Sequence, residues 1–136
     1  MKPAVFIDTS YFLALLNKRD KYHKVAKTVA KKLSGRLVTT DAVLFEVGNA
    51  LSRPSFRHLA SQVLYQVDRD PNIVVVPIDD ELFAESAEFF QSRPDQTWGL
   101  TDCSSFVVMQ RYGLTEALTA DKHFEQAGFT RLLQTV

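Results

Sequence analysis

The sequence predicts an α/β fold in which one mainly parallel central sheet is flanked by helices. Three observations predict it. Short apolar runs rich in strand-forming residues recur along the chain: AVFI, RLVTT, NIVVVPI and EALTA. Between them lie longer stretches whose apolar residues repeat at helical spacing. The two kinds alternate from end to end, which favours parallel strands joined by helices over a meander of hairpins. With 136 residues, 46% of them hydrophobic, the chain has the size of one domain. Residues 1–136 are read as that single domain, with enough apolar material to bury a core.

The elements follow in order. AVFI (4–7) is a continuous apolar run stopped by Asp8 and reads as a buried strand. SYFLALLN (10–17) reads as a helix. In the next helix, Tyr22, Val25, Ala26, Val29, Ala30 and Leu33 share one face, with lysines opposite and Gly35 closing it. RLVTT (36–40) is a second strand. Asp41 is placed to cap a helix through AVLFEVGNALSR, which Pro54 ends or interrupts. Residues 55–70 form a further helix, and NIVVVPI (72–78), the most β-branched run, a strand. Asp79 and Asp80 start a helix through about Gln91, and 94–99 is a loop. A helix from Asp102 to Tyr112 ends at Gly113, EALTA (116–120) is a strand, Asp121 opens a short helix ending near Gly128, and RLLQTV (131–136) is the last strand.

Composition excludes several classes. The one cysteine, Cys103, rules out a disulfide framework within the chain and fits a reducing cytoplasm. The apolar run near the N-terminus is too short for a signal peptide, and no stretch has the length of a membrane span. A cytoplasmic protein with no membrane partner is the expectation. Formal net charge is zero, but the charge is unevenly distributed. From Lys18 to Arg36 there are eight basic residues and one acid; from Asp68 to Asp102 there are nine acids and two arginines. That pattern predicts one basic face, whose simplest explanation is a solvated helix surface.

Four acids carry the chemistry: Asp8, Glu46, Asp102 and Asp121. Taken singly, each aspartate reads first as a helix N-cap, and Glu46 as a solvent-facing residue or a partner of Arg53. Together they say more. In parallel α/β sheets ligands sit beyond the carboxyl ends of the strands. Asp8 and Asp121 both follow strands, Asp102 starts a helix at the same rim, and Glu46 interrupts the apolar string AVLFEVGNAL. Acids close to a core are costly unless paired or bound to a cation, and carboxylates gathered at one rim repel each other. A divalent cation removes that repulsion. Oxygen ligands without His or Cys suit Mg²⁺, with Mn²⁺ as the alternative, better than zinc. Such a cation makes water nucleophilic near neutral pH and polarises a phosphoryl oxygen, which points to phosphodiester hydrolysis.

The segments VFIDTSYFLALLN, TTDAVLFEVGNALSR and WGLTDCSSFVVMQRYGLTEALTADKHFEQAGF together resemble the PIN domain family. Within it they look most like the VapC type, the ribonuclease toxins of toxin–antitoxin pairs. The resemblance spans nearly the whole chain in the right order, and the last segment is its strongest part. It implies a compact α/β domain with a metal-dependent endoribonuclease site for single-stranded RNA, whether tRNA, rRNA or mRNA. On the family pattern Asp8, Glu46, Asp102 and Asp121 are the four acids. Asp8 and Asp102 are the principal Mg²⁺ ligands, and Glu46 and Asp121 complete the site through waters or a second ion. Thr9 resembles the family's small hydroxyl residue beside the first acid. Asn49 and Arg53 match the helix after the second acid and are expected to support the site or contact phosphate. The resemblance also implies a small cognate antitoxin as partner, one that inserts a C-terminal segment into the acidic crevice. Homodimerisation, common in that family, is compatible with the ten Phe residues.

Other residues read more simply. Cys103 is expected to pack as a small apolar residue. His23, His58 and His123 show no metal-ligand spacing, and His123 is expected to pack or cap near Asp121, with a supporting role behind the acids as the alternative. Trp98 reads as packing before base stacking, and Asp95 as a loop cap. A non-catalytic PIN-like module that binds RNA or protein competes with the enzyme, motivated by the neutral charge and the basic helix. A phosphatase of the haloacid-dehalogenase type is disfavoured, because Ser10 stands where its second aspartate is needed. A receiver domain is disfavoured too, because its acidic pair and late lysine find no match.

Overall fold

The computed structural model describes residues 4–134. Strand β1 (Val5–Ile7) leads into helices α1 (Thr9–Leu16) and α2 (His23–Lys32). Strand β2 (Leu37–Thr40) is followed by α3 (Asp41–Ala50) and α4 (Arg57–Arg69), then β3 (Ile73–Val76), α5 (Asp80–Ser92) and α6 (Leu100–Arg111). Strand β4 (Glu116–Leu118), α7 (Lys122–Gln126) and β5 (Thr130–Arg131) complete the order. The strands form one five-stranded sheet, β3-β2-β1-β4-β5, and every pairing is parallel. The expected α/β architecture is therefore present.

Strand order fixes where a site belongs. The chain leaves β1 towards β2 on one side and returns to pair β4 on the other, with Phe6 opposite Ala117 and Ile7 opposite Leu118. A crevice opens beyond the strands' carboxyl ends at such a reversal. The sheet centre below it is apolar, with Phe6, Ile7, Ala117 and Leu118 at most 1% exposed. A seam of aromatic rings then ties the neighbouring helices to β1: Phe6 faces Phe124 of α7 at 6.2 Å, and Phe124 meets Phe106 of α6 edge-on at 4.9 Å. Trp98 and Phe89 extend the seam beyond Phe106.

Several boundaries differ from the expectation, each for a local reason. Thr40, not Asp41, caps α3: its Oγ1 accepts the Val43 N–H at 3.1 Å. Asp41 Oδ1 instead accepts the Ile78 N–H at 3.0 Å and ties the end of β3 to α3. Helix α6 begins two residues before Asp102, with Gly99 as N-cap. Asp102 lies inside its first turn and accepts the Gly99 N–H at 3.1 Å. Helix α2 ends at Lys32 with Leu33 as C-cap, short of Gly35. Helix α3 ends at Ala50, before Arg53 and Pro54. The final strand is only Thr130–Arg131, one residue earlier than RLLQTV, and residues 135–136 of that expectation lie outside the described residues. Gly113 and Gly128 do end their helices, at φ of 67° and 96°, the left-handed region where a Cβ is costly.

Candidate active site

The pairing of β1 with β4 builds the site. The Asp8 N–H donates to the Leu118 carbonyl at 3.1 Å, continuing the ladder one step past both strands. This sets Asp8 beside Thr119. Asp8 occupies the N-cap position of α1, yet its side chain accepts no cap bond from that helix. Its Oδ2 accepts the Thr119 hydroxyl at 2.7 Å and the Ser10 hydroxyl at 3.2 Å. Each hydroxyl is in turn fixed by an amide: Ala120 N–H donates to Ser10 Oγ and Asp121 N–H to Thr119 Oγ1, both at 3.0 Å. The capping explanation thus fails for Asp8. It is a buried carboxylate, 5% exposed, held by two anchored hydroxyls.

Burial costs the charged form of Asp8 most and raises its pKa from 3.8 to about 6. The hydrogen bonds from Thr119 and from the Thr9 backbone pull the other way, while the charges of Asp102 and Asp121 push it further up. Asp102 is also raised, first by burial and then by Asp121, against the opposing Gly99 amide and His123. These mutual influences place Asp8, Asp102 and Asp121 within electrostatic reach of one another. Asp121 does cap its helix, accepting the His123 N–H at 2.9 Å, while its carboxylate stays at the rim.

Glu46 is half-buried on α3. It does not pair with Arg53; Thr9 Oγ1 donates to its Oε1 at 2.6 Å. The link to the other acids therefore runs through Thr9, the neighbour of Asp8. Asn49 and Arg53 are exposed, and among the described residues neither side chain bonds an acid of the site.

His123 is the residue that spacing missed. Its Nδ1 lies 3.0 Å from Asp102 Oδ2 and 3.4 Å from Asp121 Oδ1, and its Nε2 lies 3.3 Å from Thr97 Oγ1. Asp102, Asp121 and His123 offer ligand atoms that all fall within 4.8 Å of one another. The set fits a divalent cation: oxygen donors supported by an imidazole nitrogen, with a buried third carboxylate, Asp8, that forms no ion pair among the described residues. The signal for Ser10 and Thr119 was present in the sequence, a small hydroxyl residue two positions after the first acid and two before the last.

The remaining candidates make other contacts or none with these acids among the described residues. Trp98 is buried and donates from Nε1 to Gln126 Oε1 at 3.1 Å, with the Arg93 guanidinium over its ring. Asp95 pairs with Arg93 through two bonds of 3.0 Å at the surface. Cys103 is fully buried. His23 Nδ1 lies 2.7 Å from the Ala14 carbonyl oxygen, and His58 is exposed. No helix among the described residues is long and apolar enough to cross a membrane.

Comparison with known proteins agrees with this geometry. The 23S rRNA-specific endonuclease VapC20 of Mycobacterium tuberculosis is 27% identical over 128 residues, which cover 94% of this chain and 97% of that protein. The crystal structure of the same toxin, described as sarcin–ricin loop cleaving, superposes with a TM-score of 0.86 at 25% identity, covering 93% of this chain and 96% of that one. VapBC2 of Rickettsia felis, solved with a DNA fragment from its promoter, shares the fold alone, with a TM-score of 0.65 at 12% identity over 94% of this chain and 96% of that one. The family model described as PIN domain matches residues 5–130, and with that span matched the chain belongs to the PIN domain family.

Proposed function

We propose that this chain is a metal-dependent endoribonuclease that hydrolyses phosphodiester bonds of single-stranded RNA, and that it acts as the toxin of a toxin–antitoxin pair. The observation that carries this reading is the buried Asp8 carboxylate, held by Ser10 and Thr119 at the carboxyl ends of β1 and β4, on which the charges of Asp102 and Asp121 act. Asp8, Asp102 and Asp121 are assigned as ligands of a divalent cation, Mg²⁺ or Mn²⁺, with Glu46 completing the catalytic set. When bound, the cation supplies counter-charge and Lewis acidity for phosphodiester hydrolysis. The chain's own residues fix the geometry. Ser10 and Thr119 orient Asp8, Thr9 orients Glu46, and the α6 turn at Gly99 orients Asp102.

The name of the relative supports ribosomal RNA as the substrate class, and the VapBC2 complex supports a small antitoxin as partner. A cytoplasmic location goes with both. A homodimer is assigned as well. Phe45, Phe83 and Leu100 stand 73%, 55% and 40% exposed around one shallow cleft on α3, α5 and α6, and light scattering should show a mass of two chains.

The decisive experiment incubates metal-stripped protein with long single-stranded RNA under Mg²⁺, Mn²⁺ or chelator, with Asp8→Asn alongside. Cleavage is expected only with metal and only with Asp8, while the variant keeps its circular-dichroism spectrum. Salt-sensitive RNA binding that ignores chelator, without cleavage of ribosomal or other RNA, would instead establish the binding module.

A further inference from the structure

We propose that His123 is a direct nitrogen ligand at this site. With Asp102 and Asp121 it makes an N,O,O set that takes a first-row transition-metal cation in preference to Mg²⁺. The inference rests on the metal-dependent reading above and adds to it which cation the site selects.

Three observations carry it. Nδ1 sits 3.0 Å from Asp102 Oδ2 and 3.4 Å from Asp121 Oδ1. Adjacent ligands on a six-coordinate ion with bonds of about 2.1 Å lie about 3.0 Å apart, so the Asp102 spacing, also that of a hydrogen bond, matches neighbouring ligand atoms, and the Asp121 spacing is wider by a few tenths of an ångström. Secondly, the ring's other nitrogen already has a partner. Nε2 lies 3.3 Å from Thr97 Oγ1, and an imidazole that ligates through one nitrogen holds its orientation by donating from the other. Thirdly, the ring is fixed from both sides along the chain. The His123 backbone N–H donates to Asp121 Oδ1, and the next residue, Phe124, is fully buried against Phe6 and Phe106. The imidazole is therefore presented to the two carboxylates by a rigid turn.

An imidazole donor changes the choice of cation. Oxygen-only sites suit Mg²⁺, whereas nitrogen donors favour the divalent transition metals, in a series where Mn²⁺ is bound less tightly than Co²⁺. The expected order of affinity is Mg²⁺ below Mn²⁺ below Co²⁺. Outer partners of ligating histidines are worth roughly 10–100-fold in metal affinity, so His123→Gln, which removes the ligand itself, should weaken Mn²⁺ and Co²⁺ binding by about tenfold or more. Mg²⁺ binding should change much less.

The test is spectroscopic and independent of RNA cleavage. Protein labelled with ¹⁵N-histidine is loaded with Mn²⁺ and studied by pulsed electron paramagnetic resonance, beside His123→Gln and, as a second variant, His123→Asn. Hyperfine coupling from one directly bonded histidine nitrogen is expected in the parent and absent in both variants, all three giving the same circular-dichroism spectrum. Bound Mn²⁺ without nitrogen coupling in the parent would mean that the ring only hydrogen-bonds Asp102, and would overturn this assignment alone. Failure of the parent to bind Mn²⁺ while Mg²⁺ still supports cleavage would overturn this assignment and leave the metal-dependent reading standing; failure of every divalent cation to support cleavage would remove both. Coupling that survives both variants would place the nitrogen on His23 or His58 and also overturn it.

Discussion

At Asp8 the demands of folding and of chemistry oppose each other. A carboxylate 5% exposed whose pKa is raised from 3.8 to about 6 carries a penalty of about 3 kcal/mol when ionised. The direction follows from proton counting. Between these two values the folded chain keeps a proton on Asp8 that the unfolded chain has lost, so stability falls as pH rises across that window. The contribution is fully present below 3.8 and gone above about 6. In chelator, the unfolding free energy of the parent relative to Asp8→Asn should therefore drop between about pH 4 and about pH 7, leaving the variant more stable at the upper end. Urea titrations across this range measure it. A flat difference would mean that Asp8 ionises as an exposed carboxylate does. Divalent cation should narrow the gap at neutral pH, because it stabilises the ionised form that Asn lacks.

At the scale of elements, what the sequence disclosed and what it withheld separate by the range of the interaction. Strand and helix identities were legible because apolar periodicity is local, and the Asp8 and Asp121 placements came with them. The caps were less so. Thr40 and Asp41 both suit a cap, and only the position of Ile78, brought alongside by β3, decides that Asp41 turns away. A supporting role for His123 was legible from its place beside Asp121, but its contact with Asp102 was not, because that depends on how α6 and α7 pack, across 21 positions. That packing is aromatic. Phe124 lies between Phe6 and Phe106, and Phe106 meets Trp98 at 5.2 Å. Phe124→Ala should cost about 3–5 kcal/mol through the cavity it leaves. Urea unfolding followed by the single tryptophan, Trp98, reads this directly. A loss well under about 1 kcal/mol would show that the seam does not set the α6–α7 arrangement.

Over the whole molecule, a net charge of zero conceals a division that matters for a polyanionic substrate. The acids that hold the site would repel RNA, and something must offset them. The turn before α2 lies at the rim, where Asp20, Lys21 and Tyr22 line one open cleft with Ser10, Ala120 and Asp121. From there Lys24, Lys27 and Lys31 continue along α2, all exposed, as a basic stripe. RNA lying on that stripe would release counterions as it binds. Single-stranded nucleic acid gives a slope of log affinity on log salt of about −0.7 for each phosphate neutralised. Lys24→Gln, Lys27→Gln and Lys31→Gln combined should therefore make the slope shallower by about 2. Among the described residues none of these lysines pairs with an acid of the site, so bound RNA should still be cut at the same positions. Fluorescence anisotropy with RNA, measured at several salt concentrations in an Asp8→Asn background so that no strand is cleaved, tests the slope. An unchanged slope would mean that RNA enters from another side and that the lysines of α2 are only a solvated face.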